Sequence, residues 1–212
     1  MHIISRFMRF FFHHFYHSFA GTYDFVAATV SVGRWTNWIE SAIPFMRGTR
    51  ILELGHGPGH LQRSLRDRSL FAVGLDESLQ MARLAKRHAG GRANLTRRVA
   101  QSLPFAAQTF DTVVSTFPSE FIFDSRTLSE AQRVLRQRGR VVLLPAAWIV
   151  GRKTIDRLAA WLFRVTGEAP VNVVDIITER AVRPLERAGF ETEIRQIEID
   201  SSVVLVVLAD KR

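Results

Sequence analysis

A chain of 212 residues with 47% hydrophobic and 23% charged residues suits one globular domain with a large core, and this excludes a disordered chain. It holds no cysteine, which excludes disulfides, thiolate metal sites and cysteine nucleophiles. The formal charge of +9 favours anionic partners such as nucleic acid, a lipid surface or a charged small molecule, and says nothing about fold.

Residues 1 to about 48 read as a helical, aromatic extension or lid. Phe7, Phe10, Phe11, Phe15 and Phe19 repeat on one face, and Trp35, Trp38 and Ile39 continue the pattern to the breakers Pro44 and Gly48. Arg6, Arg9 and histidines interrupt the apolar stretch, so it does not read as an export signal. No run reaches the roughly 18 to 20 apolar residues of a membrane span, and the expected location is the cytoplasm.

After Gly48 the period changes. Strands are expected at Ile51 to Leu54, Leu70 to Leu75, Asn94 to Val99, Asp111 to Ser115 and Gly139 to Pro145. Helices are expected at His60 to Arg68, Ser78 to His88 and Ser125 to Arg136. That alternation predicts an α/β fold of βαβ units, with a parallel sheet covered on both faces. A last helix from Thr178 to Ala188 precedes strand-like runs at Phe190 to Ile199 and Val203 to Leu208. Only Asp200, Ser201 and Ser202 separate them, a connection that permits only an antiparallel hairpin. Between the fifth strand and the last helix, Ala146 to Pro170 alternates Trp148, Ile155, Trp161 and Phe163 with Arg152, Lys153, Arg157 and Arg164. Such a basic amphipathic segment suits a cap over a pocket or contact with an anionic membrane surface, and 146–175 is read as an insertion in a domain spanning 49–212.

The chemistry concentrates in Ile51-Leu52-Glu53-Leu54-Gly55-His56-Gly57-Pro58-Gly59. A strand feeding a glycine turn lets backbone approach a ligand, and the following helix N-terminus offers unpaired N–H groups. A dinucleotide fingerprint would need glycine where His60 stands, and a Walker loop would need Gly-Lys-Ser/Thr; both fail. A structural turn with no ligand is the remaining alternative. Asp76 ends the second strand about 20 residues further on, where a carboxylate can accept bonds from ribose hydroxyls or cap the next helix beside Ser78.

Glu53 to Gly59, then Gly74-Leu75-Asp76 with Ser78 and Met81, resembles the first two motifs of class I S-adenosylmethionine-dependent methyltransferases. Leu103-Pro104-Phe105, Phe110 to Val113, and Glu130 with Arg133 to Leu135 and Gly139-Arg140 resemble their later strand regions. Tyr23-Asp24, Ser31, Gly33 and Trp35 are similar to the segment before the cofactor loop in ubiquinone/menaquinone-type C-methyltransferases. His56, Pro58 and Val99 depart from that family's usual residues.

The resemblance implies a Rossmann-like fold with a seven-stranded, mostly parallel sheet closed by a C-terminal antiparallel hairpin, and S-adenosylmethionine as cofactor. It places Glu53 under the cofactor, Gly55, His56, Gly57 and Gly59 around its methionine portion, and Asp76 and Glu77 at the ribose. Met81, Gln101 and Ser102 would line the adenine, and Thr116, Phe117 and Pro118 would face the methyl group. Tyr16, His17, Tyr23 and Glu120 are candidate bases, each with an ordinary lid or loop role as the alternative. His56 and His60 straddle a glycine turn with no third ligand, so no metal site is expected. The expected acceptor is small and hydrophobic, lipid- or quinone-like. An RNA methyltransferase, suggested by charge, and a non-catalytic binding protein with this fold are the alternatives; the segment Thr116-Phe117-Pro118-Ser119 lacks the signature of base-amine enzymes.

Overall fold

The computed structural model describes residues 31, 33–89, 93–150 and 173–212. The aromatic stretch before Ser31, with Tyr16, His17 and Tyr23, and the amphipathic residues 151–170 lie outside the described residues. Seven strands form one sheet: β1 (Arg50–Leu54), β2 (Phe71–Asp76), β3 (Asn94–Arg97), β4 (Phe110–Thr116), β5 (Leu135–Ile149), β6 (Phe190–Ile199) and β7 (Ser202–Lys211), in the order 3-2-1-4-5-7-6. Pairing is parallel from β3 to β5, and β7 runs antiparallel to both β5 and β6. The expected mostly parallel sheet with a closing hairpin is what the chain forms.

Helices cover both faces, which is why the central strands are buried in continuous runs rather than at alternate residues. Ile51 of β1 packs with Trp38 and Ile39 of α1 (Trp35–Glu40) and with Leu61 and Leu65 of α2 (His60–Asp67). Leu52 and Leu54 point the other way, against Leu128 and Ala131 of α4 (Ser125–Val134). Between α2 and α4 in sequence, α3 (Leu79–His88) packs beside α2 on β2 and β3. At the end of the sheet away from the glycine turn, Asp111 Oδ2 accepts the Thr49 and Arg50 N–H groups, each at 3.0 Å, and Arg136 donates to Oδ1 at 2.8 Å.

Several elements differ from their sequence limits. The fifth strand begins at Leu135, before the expected Gly139, because Leu135 is fully buried and pairs with Phe110. The register then shifts before Thr112 meets Arg140, with Arg138 at φ 61. β3 stops at Arg97 and leaves Val99 exposed. The last helix starts at α5 (Val173–Ile177), passes through a π turn at Thr178–Val182, and continues as α6 (Arg183–Arg187). Pro184 explains the wide turn, since it has no N–H to donate and its ring crowds the carbonyl four residues earlier.

The hairpin turns on Asp200 (φ 45) and Ser201 (φ 62), both left-handed, as a two-residue type I′ loop requires. Asn37 Nδ2 donates to Asp200 Oδ2 at 2.6 Å and ties α1 to the hairpin. A side chain at φ 62 is unfavourable, so Ser201→Gly is expected to stabilise the fold by about 0.5–1 kcal/mol. Thermal melting should show a midpoint rise of roughly 1–4 °C; an unchanged or lower midpoint counts against the turn assignment.

Candidate functional site

The chain reverses its winding between β1 and β4: α2 leaves β1 toward one face, and α4 follows β4 on the other. A crevice opens at the carboxyl ends of such strands, and the glycine turn after β1 lies there. The Gly55 and His56 N–H groups donate to the Leu75 carbonyl at 2.7 and 3.3 Å, wrapping the turn around the end of β2. The glycines do different jobs. A Cβ on Gly57 (φ 50) would enter open space, whereas one on Gly55 would meet the Phe121 ring at 3.0 Å. A Cβ on Gly59 (φ 84) would stand 2.7 Å from Ala85 Cβ and 2.9 Å from its Cα, so this glycine lets α2 and α3 touch.

Asp76 joins the turn to the second strand. Its Oδ2 accepts the Gly57 N–H at 3.0 Å, and its Oδ1 accepts the Ser78 N–H at 2.8 Å. Ser78 in turn caps α3, its Oγ accepting from the Met81 N–H at 3.3 Å. Each carboxylate oxygen carries two lone pairs, so one on each stays available. A half-buried carboxylate with spare acceptor capacity beside the open space at Gly57 fits a vicinal diol such as that of a ribose.

Beneath the turn lies a buried polar layer. Glu53, 1% exposed, accepts a hydrogen bond from Gln62 Nε2 of α2 at 2.8 Å. Burial pushes its carboxyl up to about 8, against the hydrogen bond from Gln62 and with help from the Asp76 charge, so it carries its proton at neutral pH. His56, 3% exposed, lies over Gly74, where the Gln62 side chain also packs. Burial lowers its pKa, with Asp76 opposing, so the ring is neutral. Its Nδ1 then donates to the Gly57 carbonyl at 2.7 Å and its Nε2 is a buried acceptor with no hydrogen-bond partner among the described residues. A Cβ on Gly74 would stand 3.0 Å from the Leu95 side chain and 3.1 Å from those of Gln62 and His56.

The other predicted site residues scatter more widely. Phe117 adopts φ 48, rare for an aromatic residue, and stacks on Trp35 at 4.4 Å on the α1 side. Thr116 and Pro118 flank it, half-buried. Gln101 Nε2 reaches Asp124 Oδ2 at 3.5 Å, Ser102 and Glu77 are exposed, and Met81 is buried. The Glu120 side chain is 96% exposed, 4.0 Å from Arg180. Sequence reasoning missed Phe121 and Gln62. Gln62 had a signal, a polar residue between Leu61 and Leu65 on a buried helix face; Phe121 had none, because it reaches Gly55 from the loop after β4.

Residues 52–143 match a family model described as a methyltransferase domain. The fold is shared with solved S-adenosylmethionine-dependent methyltransferases. One from Archaeoglobus fulgidus has TM-score 0.59 and 17% identity, covering 89% of this chain and all of that one. One from Aquifex aeolicus has TM-score 0.58 and 15% identity, covering 84% of this chain and 93% of that one. Residues 52–143 thus carry a methyltransferase domain, on a fold shared with S-adenosylmethionine-dependent methyltransferases. The chain is 30% identical over 156 residues to a demethylmenaquinone methyltransferase of Thermobifida fusca, covering 70% of this chain and 66% of that protein. It is 31% identical over 137 residues to a ubiquinone/menaquinone biosynthesis C-methyltransferase of Geotalea daltonii, covering 59% of this chain and 58% of that protein. The chain thus spans about six-tenths of the length of these relatives.

Proposed function

We propose that this chain moves the methyl group of S-adenosylmethionine to a small hydrophobic acceptor of quinone type. The observation that carries the proposal is the junction at Asp76, which binds Gly57 of the turn through one oxygen while an acceptor site remains on each. The relatives act on quinone precursors by name, and that supports the acceptor class.

The cofactor supplies an activated methyl group, so the protein's tasks are orientation and exclusion of water. Orientation alone supplies roughly 7–11 kcal/mol of such a barrier, against about 3–5 kcal/mol from a general base. In this reading Asp76 accepts the ribose hydroxyls, with Glu77 beside it. The turn from Gly55 to Gly59 approaches the methionine portion, braced from below by Glu53, Gln62 and His56. Met81, Gln101 and Ser102 border the adenine, while Thr116, Phe117 and Pro118 face the acceptor. Tyr16, His17, Tyr23 and Glu120 stay as candidate bases. The aromatic stretch before Ser31 acts as a lid, α1 belonging to the core, and the amphipathic segment after Ile149 acts as a cap that touches the membrane surface where a lipid-soluble acceptor resides.

Titration calorimetry with S-adenosylmethionine and with its demethylated product tests the site. Both should release heat on the wild-type chain, and Asp76→Ala should weaken each roughly a hundredfold, the loss expected for two hydroxyl bonds to a charged group. A mass increase of one methyl group on a reduced demethylated quinone then tests the acceptor. No heat with either ligand defeats the proposal.

A further inference from the structure

Residues 78–110 contain Arg83, Lys86, Arg87, Arg92, Arg97 and Arg98 and no aspartate or glutamate. The fold gathers the described members of this run at one edge of the molecule. β3 is the edge strand, and α3 packs on β3 and β2. Arg83, Lys86 and Arg87 follow helical i, i+3, i+4 spacing on α3 and are exposed, as are Arg97 and Arg98 at the end of β3. Several arginines elsewhere are matched with acids: Arg47 and Arg140 with Asp210, Arg68 with Glu40, Arg133 with Glu130, Arg136 with Asp111. Among the described residues, Arg83, Lys86, Arg87 and Arg98 make no salt bridge, and Arg97 is spent on the Glu77 carbonyl at 3.0 Å.

Two apolar side chains stand out of the same edge. Leu79, at the start of α3, and Val99, just past β3, are each 44% exposed. Cations without matching acids, set around protruding aliphatic side chains, suit the interface of an anionic bilayer: the cations meet headgroups and the aliphatic groups enter the acyl boundary. A single-stranded nucleic-acid surface would use aromatic platforms, and none of the exposed residues of α3 and β3 is aromatic. We infer that the α3–β3 edge is a docking surface for an anionic lipid bilayer. The inference goes beyond the methyl-transfer reading and needs no particular acceptor. Arg98 donates its N–H to the Asp76 carbonyl at 3.2 Å, so docking here brings the rim of the crevice to the bilayer.

The test is co-sedimentation of the full chain with phosphatidylcholine vesicles, with and without phosphatidylserine. Binding is expected only with phosphatidylserine, weakening as salt rises. The triple variant Arg83→Gln, Lys86→Gln, Arg87→Gln should lower partitioning roughly a hundredfold, since each cation near an anionic surface contributes a several-fold factor. A charge-preserving Arg83→Lys, Arg87→Lys variant should bind like wild type, which separates lost charge from lost fold. Leu79→Ser with Val99→Ser should weaken binding even at high salt. Wild-type binding by the triple variant overturns the inference, as does capture of a random RNA duplex with no vesicle binding. Cofactor heat in the triple variant should match wild type, so a failure here leaves the methyl-transfer reading standing.

Discussion

Glu53→Gln is expected to make the chain more stable at pH 8 than the wild type and to remove most of its loss of stability between pH 4.5 and pH 8. The carboxyl sits at about 8 in the folded chain against an ordinary 4.5, because burial next to Gln62 disfavours its charge. The folded state therefore holds a proton that the unfolded chain gives up as pH rises. Stability from this group is full below pH 4.5 and is lost as pH climbs through 8. Between those limits the wild type should lose about 4 kcal/mol relative to the glutamine variant, whose neutral amide keeps the shape without titrating. His56 acts in the opposite sense, since its lowered pKa means stability is lost as pH falls below 6.5. Urea denaturation of both proteins across this range measures the difference. Parallel stability curves would show that Glu53 stays ionised in the fold.

Gly59→Ala is expected to cost roughly 2–4 kcal/mol of stability, while Gly57→Ala, two residues away in the same turn, costs about 1 kcal/mol. Both residues have positive φ, 84 and 50, so both pay for a Cβ in the left-handed region. Only at Gly59 does that Cβ collide, 2.7 Å from Ala85 Cβ and 2.9 Å from its backbone. Two packed helices cannot separate locally without opening the core around Leu61 and Leu65. Thermal midpoints should fall roughly 4–16 °C for Gly59→Ala and about 2–4 °C for Gly57→Ala. At Gly57 the added methyl enters the open space beside Asp76, so its larger effect should be on the heat of cofactor binding. If both variants melt alike, the division of labour within the turn is wrong.

Much of this was legible in the residues. The runs Ile51 to Leu54 and Asp111 to Ser115 are short, rich in aliphatic and β-branched residues and bounded by turn residues, which marks buried strands. Asp200-Ser201 between two such runs forced the closing hairpin. The start of β5 was hidden, because Leu135-Arg136-Gln137-Arg138 continues a helical composition and pairs only through contact with Phe110, 25 positions earlier in the chain. The glycine turn and Asp76 stood out for their spacing. Phe121 over Gly55, and Phe117 turned onto Trp35, came from elements far apart in sequence and left no local mark.

By itself the sequence determined which segments become strand or helix, that the sheet ends in a hairpin, and which turn meets an acidic strand end. These follow from short-range sterics and from the period of the apolar residues. Tertiary structure alone decided that Gly59 separates two helices while Gly57 faces open space, that Glu53 keeps a proton, and that the cations of α3 and β3 share one edge. Each of those depends on what stands across a few ångströms from another part of the chain, and neither local spacing nor composition carries that distance.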